Sequence, residues 1–288
     1  MTSSLYISFE VFPPKSGTSE KFVGGVRALA GTGSHVSVTY GASGSGRDRS
    51  ETALNALCDA GFAGSIAAHL TATGQPKDQI LALARFWKSK GIRRLVALRG
   101  DAPPVGPGEF ACAAELTEAL AGIGGFDIGV ACYPEGHPKS TSREAEIDHL
   151  KRKLDGGASH AITQFFFDLD LFLRFRDECV AAGMEKPIVP GLLPIASLDG
   201  LHKFADGCGA TVPAWLDARF AGLENDPETV RTLSVATTVS LGERLAAEGV
   251  DHIHLYTLNR TRDAMTIARA LGVPQSVPFP FPATEEAA

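Results

Sequence analysis

The stretch IAAHLTATGQPKDQILALARFWKSKGIRRLVAL, residues 66–98, carries the pattern that decides the architecture. A short apolar run closes at His69, helical spacing follows at Ile80, Leu83, Ala84 and Trp87, Gly91 stops it, and a second apolar run closes at Leu98. Apolar residues at those intervals share one face of a helix. A glycine just past the helix end supplies the left-handed stop. The unit is one strand, one helix and the next strand, about thirty residues in all. Working outward, similar runs end near Phe9, Thr39, Ala131, Phe165, Leu192 and Tyr256. The glycine device recurs: Leu54, Leu57 and Cys58 precede Gly61, Ile147, Leu150 and Leu154 precede Gly156-Gly157, and Leu171, Phe172, Phe175 and Cys179 precede Gly183. Strands alternating with helices in this way predict an α/β fold, a (β/α)8 TIM barrel.

The interval from Leu192 to Tyr256 is longer than the others and has room for one regular helix and an extra helical segment before the last strand. Asp226-Pro227-Glu228 reads as an N-cap followed by proline at the first helical position, with Val230, Leu233, Leu241 and Leu245 forming a stripe before Gly249. Pro213 through Phe220 is the expected extra helix. Residues 1–277 are expected to form a single catalytic domain, and 278–288, with its prolines and acids, a flexible tail. The rival, a doubly wound sheet, needs fewer strands and a G-x-G-x-x-G after one of them. Gly41-Ala42-Ser43-Gly44-Ser45-Gly46 lacks that spacing and reads as a mobile βα loop.

The chain has 288 residues, 44% of them hydrophobic, enough to bury roughly three quarters of its unfolded surface. A net charge of -6 argues against nucleic acid and anionic membranes as partners. Five scattered cysteines without a C-x-x-C pair argue against a disulfide framework or thiolate zinc site. No signal core and no membrane-length apolar run is present, which predicts a cytoplasmic location. There is no H-E-x-x-H, so no metal is expected, and no G-x-S-x-G nucleophile elbow. Lys151-Arg152-Lys153, the one basic run, fits a solvated helix face.

Barrel chemistry is built at the C-terminal ends of the strands. Glu10 stands there after strand one, before Pro13-Pro14, among Phe9, Val11 and Phe12. A carboxyl in apolar surroundings has its pKa raised and can serve as a proton donor. Thr39 closes strand two and His69 strand three; Arg99-Gly100-Asp101 follows strand four, Tyr133 and His137 follow strand five, and Gln164 closes strand six. Each has a plainer alternative. His69 fits a satisfied interior histidine, Arg99 and Asp101 a loop cross-link, His137 a loop cap, and Gln164 a bond to loop backbone. No strand end carries a Schiff-base lysine, which disfavours an aldolase or lyase.

Eight motifs, in order from Ser8 to about Gly272, together resemble methylenetetrahydrofolate reductase. They are Phe9-Glu10-Val11-Phe12-Pro13-Pro14, Val36-Ser37-Val38-Thr39-Tyr40-Gly41-Ala42, His69-Leu70-Thr71 and Ala97-Leu98-Arg99-Gly100-Asp101, then Tyr133-Pro134-Glu135-Gly136-His137-Pro138, Ile162-Thr163-Gln164-Phe165-Phe166-Phe167-Asp168, Pro190-Gly191-Leu192-Leu193-Pro194 and Tyr256-Thr257-Leu258-Asn259-Arg260. The resemblance implies a flavin-containing (β/α)8 barrel that reduces 5,10-methylenetetrahydrofolate to 5-methyltetrahydrofolate by a ping-pong sequence, from NADH or NADPH through FAD. It also implies a homo-oligomer. By the resemblance, the chain is expected to match the bacterial catalytic domain in length, without the regulatory domain of eukaryotic members. A non-catalytic folate- or flavin-binding barrel and a flavin-independent reductase of the same substrate are the alternatives.

By the same resemblance, Glu10 is the general acid that protonates N10 and opens the imidazolidine ring to a 5-iminium cation, and Asp101 is a carboxylate that stabilises the developing cation. Glu10, Asp101, Gln164 and Phe204 are expected to contact the folate, Gln164 through the pterin edge and Phe204 as a flat surface. Thr39, His69, Leu98, Arg99, Gly100, Asp101, Tyr133, His137, Glu146 and Lys153 are expected to hold FAD, with Arg99 and Lys153 near the diphosphate. Glu146 stands where related bacterial enzymes can carry aspartate.

Overall fold

The computed structural model describes residues 5–15, 17, 20–32, 35–41, 47–100 and 109–273. Its sheet contains β1 (Tyr6–Val11), β2 (Val36–Val38), β3 (Ile66–Thr71), β4 (Arg94–Leu98), β5 (Asp127–Cys132), β6 (His160–Thr163), β7 (Ile188–Val189), β8 (Gly191–Leu192) and β9 (His252–Tyr256). The order is β7-β6-β5-β4-β3-β2-β1-β9-β8, with parallel pairing throughout. β7 and β8 are two halves of one strand interrupted at Pro190. Proline has no N–H for the ladder, but its carbonyl accepts from His254 N at 2.9 Å. Ile188-Val189 stays on β6 while Gly191-Leu192 passes to β9. The split strand therefore joins the two ends of the sheet and closes the expected barrel.

Helices α1 (Glu20–Ala30), α2 (Arg47–Asp59), α3 (Lys77–Ser89), α4 (Ala113–Ile123), α5 (Arg143–Asp155) and α6 (Leu169–Ala181) follow the first six strands, and α10 (Thr261–Ala270) follows β9. The glycine stops stand where the sequence places them: Gly61, Gly91, Gly157, Gly183 and Gly249 have φ between 76° and 112°. Between β8 and β9 lie α7 (Leu198–Cys208), α8 (Ala214–Phe220) and α9 (Pro227–Ala247). α8 is the extra helix, and Asp226 caps α9 by accepting from Thr229 N at 3.0 Å.

The interval thus holds three helices where the sequence pattern suggested two. α7 escaped notice because Gly200 and Gly207 lower its helix propensity and only Leu201 and Ala205 of its stripe are buried. Among the described residues no helix is long and apolar enough to cross a membrane. The loop residues 42–46 and the segment from 274 onward lie outside the described residues.

Strand alternation sorts the side chains into two sets. Ile7, Phe9, Val11, Val36, Val38, Ile66, Ala68, Leu70, Ile128 and Val130 pack outward against Leu29, Leu54, Trp87, Leu150 and Phe172 of the helices. Each such burial of a valine, leucine, isoleucine or phenylalanine contributes about 1.5–3 kcal/mol. The alternate positions point into the barrel. There Val96, Ile162 and Val189 form a small apolar cluster with Leu98 and Tyr256, while Ser8, Glu10, Thr39, His69 and His254 are polar residues on the same inward face. The outward register that builds the core places them there.

Candidate active site at the barrel mouth

Glu10 lies at the C-terminal end of β1, in register with Ser37 of β2 and Tyr256 of β9. Its backbone is held from β9: the Glu10 carbonyl accepts from Thr257 N (3.2 Å) and Thr257 Oγ1 (2.6 Å). Asn259 then grips the next turn, accepting from Phe12 N at 2.8 Å and donating to Phe12 O at 3.1 Å. Leu258 and Asn259 both have positive φ, 48° and 61°. The turn accepts that conformation, costly for leucine, while closing on β1.

The Glu10 side chain is 17% exposed, with Oε2 at 3.7 Å from His69 Nε2 and 3.9 Å from His254 Nε2. Burial raises its pKa above the ordinary carboxyl value, and His69 opposes this only in part. Burial also lowers His69 to about 4 and His254 to about 3. Both imidazoles are therefore neutral at neutral pH and neither locks Glu10 into an ion pair. An acid so placed keeps its proton nearer neutrality than a solvated glutamate does.

Among the described residues, two buried polar atoms at this mouth lack a hydrogen-bond partner: Thr39 Oγ1 and His69 Nε2. Such atoms cost free energy unless something satisfies them. Gly100 follows β4 with φ 86°, and a Cβ there would stand 2.9 Å from Thr71 Cβ. Thr73 N and Oγ1 both donate to Arg99 O at 3.0 Å, tying the loops after β3 and β4 together. Arg99 Nη1 donates to Gly100 O at 3.2 Å, so part of the guanidinium braces its own turn. Leu98 closes β4 against the interior cluster. Asp101 lies outside the described residues.

A second group gathers between β5 and α5. Tyr133 and His137 meet edge to face at 4.6 Å. Glu146, buried in the first turn of α5, accepts from His137 N at 3.3 Å. Lys153, 3% exposed, donates to Ala131 O at 2.5 Å, and burial lowers its pKa. Of the basic run only Lys153 turns inward; Lys151 pairs with Asp155 on the surface.

Gln164 stands beside this group, its N donating to Cys132 O at 2.8 Å, and Phe204 adjoins it through Phe165. Gln164 Oε1 accepts from Phe165 N at 3.0 Å, the loop bond that sequence alone allowed. Phe204, on α7, stacks on Phe165 with ring centres 5.4 Å apart and planes 9° apart. A recess lined by Tyr133, Gly136, Gln164, Phe165 and Cys208 connects the two groups. Close approach also shapes this wall: a Cβ on Gly191 would lie 2.3 Å from Thr163 O and 2.6 Å from Tyr256 Cε2.

Sequence reasoning gave no role to His254, Ser8, Thr257 or Asn259. The signal for His254 is the alternation His252-Ile253-His254-Leu255-Tyr256, which sends three polar or aromatic side chains to the inward face. Thr257 and Asn259 act through backbone contacts that no periodicity reveals.

A closed α/β barrel with a buried acid at its C-terminal mouth has the organisation of a barrel enzyme. Residues 2–272 match the family model described as Methylenetetrahydrofolate reductase. Over 270 residues the chain is 41% identical to 5,10-methylenetetrahydrofolate reductase of Pectobacterium carotovorum subsp. carotovorum, covering 93% of this chain and 90% of that protein. The figures are the same for 5,10-methylenetetrahydrofolate reductase of Escherichia coli (strain K12). A solved Clostridium thermocellum protein, described as binding two copies of 5-methyl-5,6,7,8-tetrahydrofolic acid, shares the fold with a TM-score of 0.62 at 16% identity, over 93% of this chain and 95% of that one. The chain belongs to the methylenetetrahydrofolate reductase family.

Proposed function

We propose that this protein reduces 5,10-methylenetetrahydrofolate to 5-methyltetrahydrofolate in the cytoplasm, with FAD as its cofactor and NADH or NADPH as the electron donor. The observation that carries the reading is Glu10: a carboxyl with a raised pKa, between two neutral imidazoles, at the mouth of a barrel of this family.

The residues present suit a flavin. Thr39 Oγ1 and His69 Nε2 are buried polar atoms awaiting a partner, and a heterocycle rich in donors and acceptors supplies one. Tyr133, His137, Leu98 and Gly100 would border the cofactor, with Glu146 toward its adenosine end and Arg99 and Lys153 offering charge to the diphosphate. When bound, FAD supplies the two-electron carrier that the nicotinamide loads and the folate unloads.

The chain's own part is proton delivery and positioning. Glu10 gives its proton to N10 of the folate, which makes that nitrogen a leaving group and opens the ring to the 5-iminium cation. Gln164 orients the pterin by its amide, exchanging its bond to Phe165 N for one to the ligand. Phe204 and Phe165 offer a flat apolar wall to nicotinamide and pterin in turn. Asp101 keeps the role of a carboxylate that favours the cation.

An anaerobic two-step assay tests this. Purified protein should be yellow or become so with FAD, lose that colour with NADH or NADPH, and regain it with methylenetetrahydrofolate as methyltetrahydrofolate forms. Protein that never takes up flavin yet reduces the folate would be a flavin-independent reductase; protein that binds both ligands without turnover would be a binding barrel. Either result overturns the proposal.

A further inference from the structure

The opposite end of the barrel is also polar. The first residues of five strands, Tyr6 of β1, Arg94 of β4, Asp127 of β5, His160 of β6 and His252 of β9, form a ring there, with His35 just before β2. Arg94 and Asp127 are 34% and 47% exposed, so the ring meets water. Its members are joined. Tyr6 and His35 share a hydrogen bond of 2.8 Å, Ser159 Oγ bonds His160 Nδ1 at 2.9 Å and also Asp127, and the His252 ring stands 4.7 Å from Tyr6 and 6.2 Å from both His35 and His160. Gly129 makes room for this: a Cβ there would stand 2.8 Å from His160 Nε2.

From this floor a line of bonded side chains climbs to His254, one gap short of the acid. His252 Nε2 lies 2.9 Å from Ser8 Oγ, Ser8 Oγ lies 2.7 Å from His254 Nδ1, and His254 Nε2 lies 3.9 Å from Glu10 Oε2. We infer that the floor of the barrel is the proton intake of the site, and that Glu10 is recharged from it along His252, Ser8 and His254 rather than from the face that the ligands cover. The inference rests on the function proposed above.

The bookkeeping of protons closes. Ser8 has one O–H, so it donates to one imidazole and accepts from the other. With Glu10 ionised, His254 presents Nε2–H to it, Ser8 donates to His254 Nδ1, and His252 Nε2–H donates to Ser8. As His254 gives its proton to Glu10, each group takes the one behind it, and His252 Nδ1 takes a proton from water at the floor. One proton enters, one reaches Glu10, and no charge remains on the way. Burial suits this neutral exchange, because it lowers both His252 and His254 to about 3 and keeps imidazolium from accumulating. His254 and His160 act against a positive charge on His252, while Asp127 favours one at the rim. The last gap closes by rotation of the Glu10 carboxyl or through one water.

The test uses the FAD-loaded protein, reduced by NAD(P)H and mixed with methylenetetrahydrofolate, with both substrates in excess so that Glu10 must be recharged between turnovers. His252→Ala should slow the turnovers after the first by about tenfold or more, leave the first reoxidation and the nicotinamide step within about twofold, and regain rate with added imidazole. Ser8→Val should show the same loss while Ser8→Thr, isosteric with that valine but keeping the hydroxyl, retains most of the rate. In the ligand-free protein, proton–nitrogen spectra should find His252 and His254 protonated on Nε2 once Glu10 is ionised. Wild-type rates in H252A, or a loss that imidazole never restores, would overturn the intake. If the Ser8 variants do not fold, H252A and its rescue decide alone. If the wild-type protein itself is not reoxidised by the folate, the function fails instead, and the two failures are distinct.

Discussion

The two ends of the barrel are built from similar residues and treat them in opposite ways. At the N-terminal floor, Tyr6 and His35 bond each other, Ser8 bonds both His252 and His254, and Ser159 bonds His160 and Asp127. At the C-terminal mouth, Thr39 Oγ1 and His69 Nε2 are buried with no partner among the described residues, and the Glu10 carboxylate stands 3.7 Å from His69 and 3.9 Å from His254. A polar group that folding leaves unsatisfied weakens the fold, and at a barrel mouth a ligand can supply the missing bond. The floor is finished by the chain alone. The mouth awaits something else.

The comparison can be broken most sharply at Glu10. Glu10→Gln removes the acid but keeps the shape, and should slow folate-driven reoxidation by about 10²- to 10⁴-fold while bleaching by NAD(P)H changes only a few-fold. Equal loss in both half-reactions, measured by stopped-flow absorbance, would turn Glu10 into a structural residue. Gly191→Ala comes next. Its methyl meets the Thr163 carbonyl at 2.3 Å, and overpacking of this kind should cost about 1–3 kcal/mol in denaturant unfolding and impair the wall beside Tyr256.

Acid sharpens the comparison at both ends together. His69 and His254 fall to about 4 and about 3 from an ordinary 6.5, so the unfolded chain takes up protons first as pH drops. Their stability is present above pH 6.5 and is lost toward the folded values, about 2 kcal/mol per imidazole by pH 5. Glu10 acts with the opposite sign: its raised pKa makes its contribution decline as pH rises past 4.5. Thermal unfolding of the ligand-free protein should therefore shift to lower temperature between pH 7 and pH 5, the histidines outnumbering the acid.

The smallest effect separates satisfied from unsatisfied hydroxyls. Ser8→Ala strands two imidazole nitrogens and should cost about 1–3 kcal/mol, whereas Thr39→Val removes an atom that bonds nothing and should change ligand-free stability by less than about 1 kcal/mol. FAD titration should then find Thr39→Val weaker. Equal stability losses would erase the distinction between the two ends.

Much of this was legible in the sequence because strand alternation and glycine stops are local. Residues 66–98 reveal one strand–helix unit, and repetition gives the barrel. Glu10, Thr39, His69 and Gln164 could be placed at strand ends by counting alone. α7 was hidden by its glycines, and the splitting of strand seven at Pro190 depends on partners from β6 and β9, which sequence spacing does not show. His254 was hidden for a related reason: it lies 244 residues beyond Glu10 in the chain and becomes its neighbour only when β9 pairs with β1. The polar floor depends on the same closure, since its members come from separate strands.

The central claim is that a buried, protonated Glu10 drives the folate step. The pH dependence of single-turnover reoxidation by methylenetetrahydrofolate, measured for the wild type and for Glu10→Gln, tests it most directly. The rate for the wild type should fall by about tenfold per pH unit above an apparent pKa higher than 4.5, and the residual rate of the variant should not follow that titration. A flat wild-type profile, or the same titration in both proteins, would contradict it.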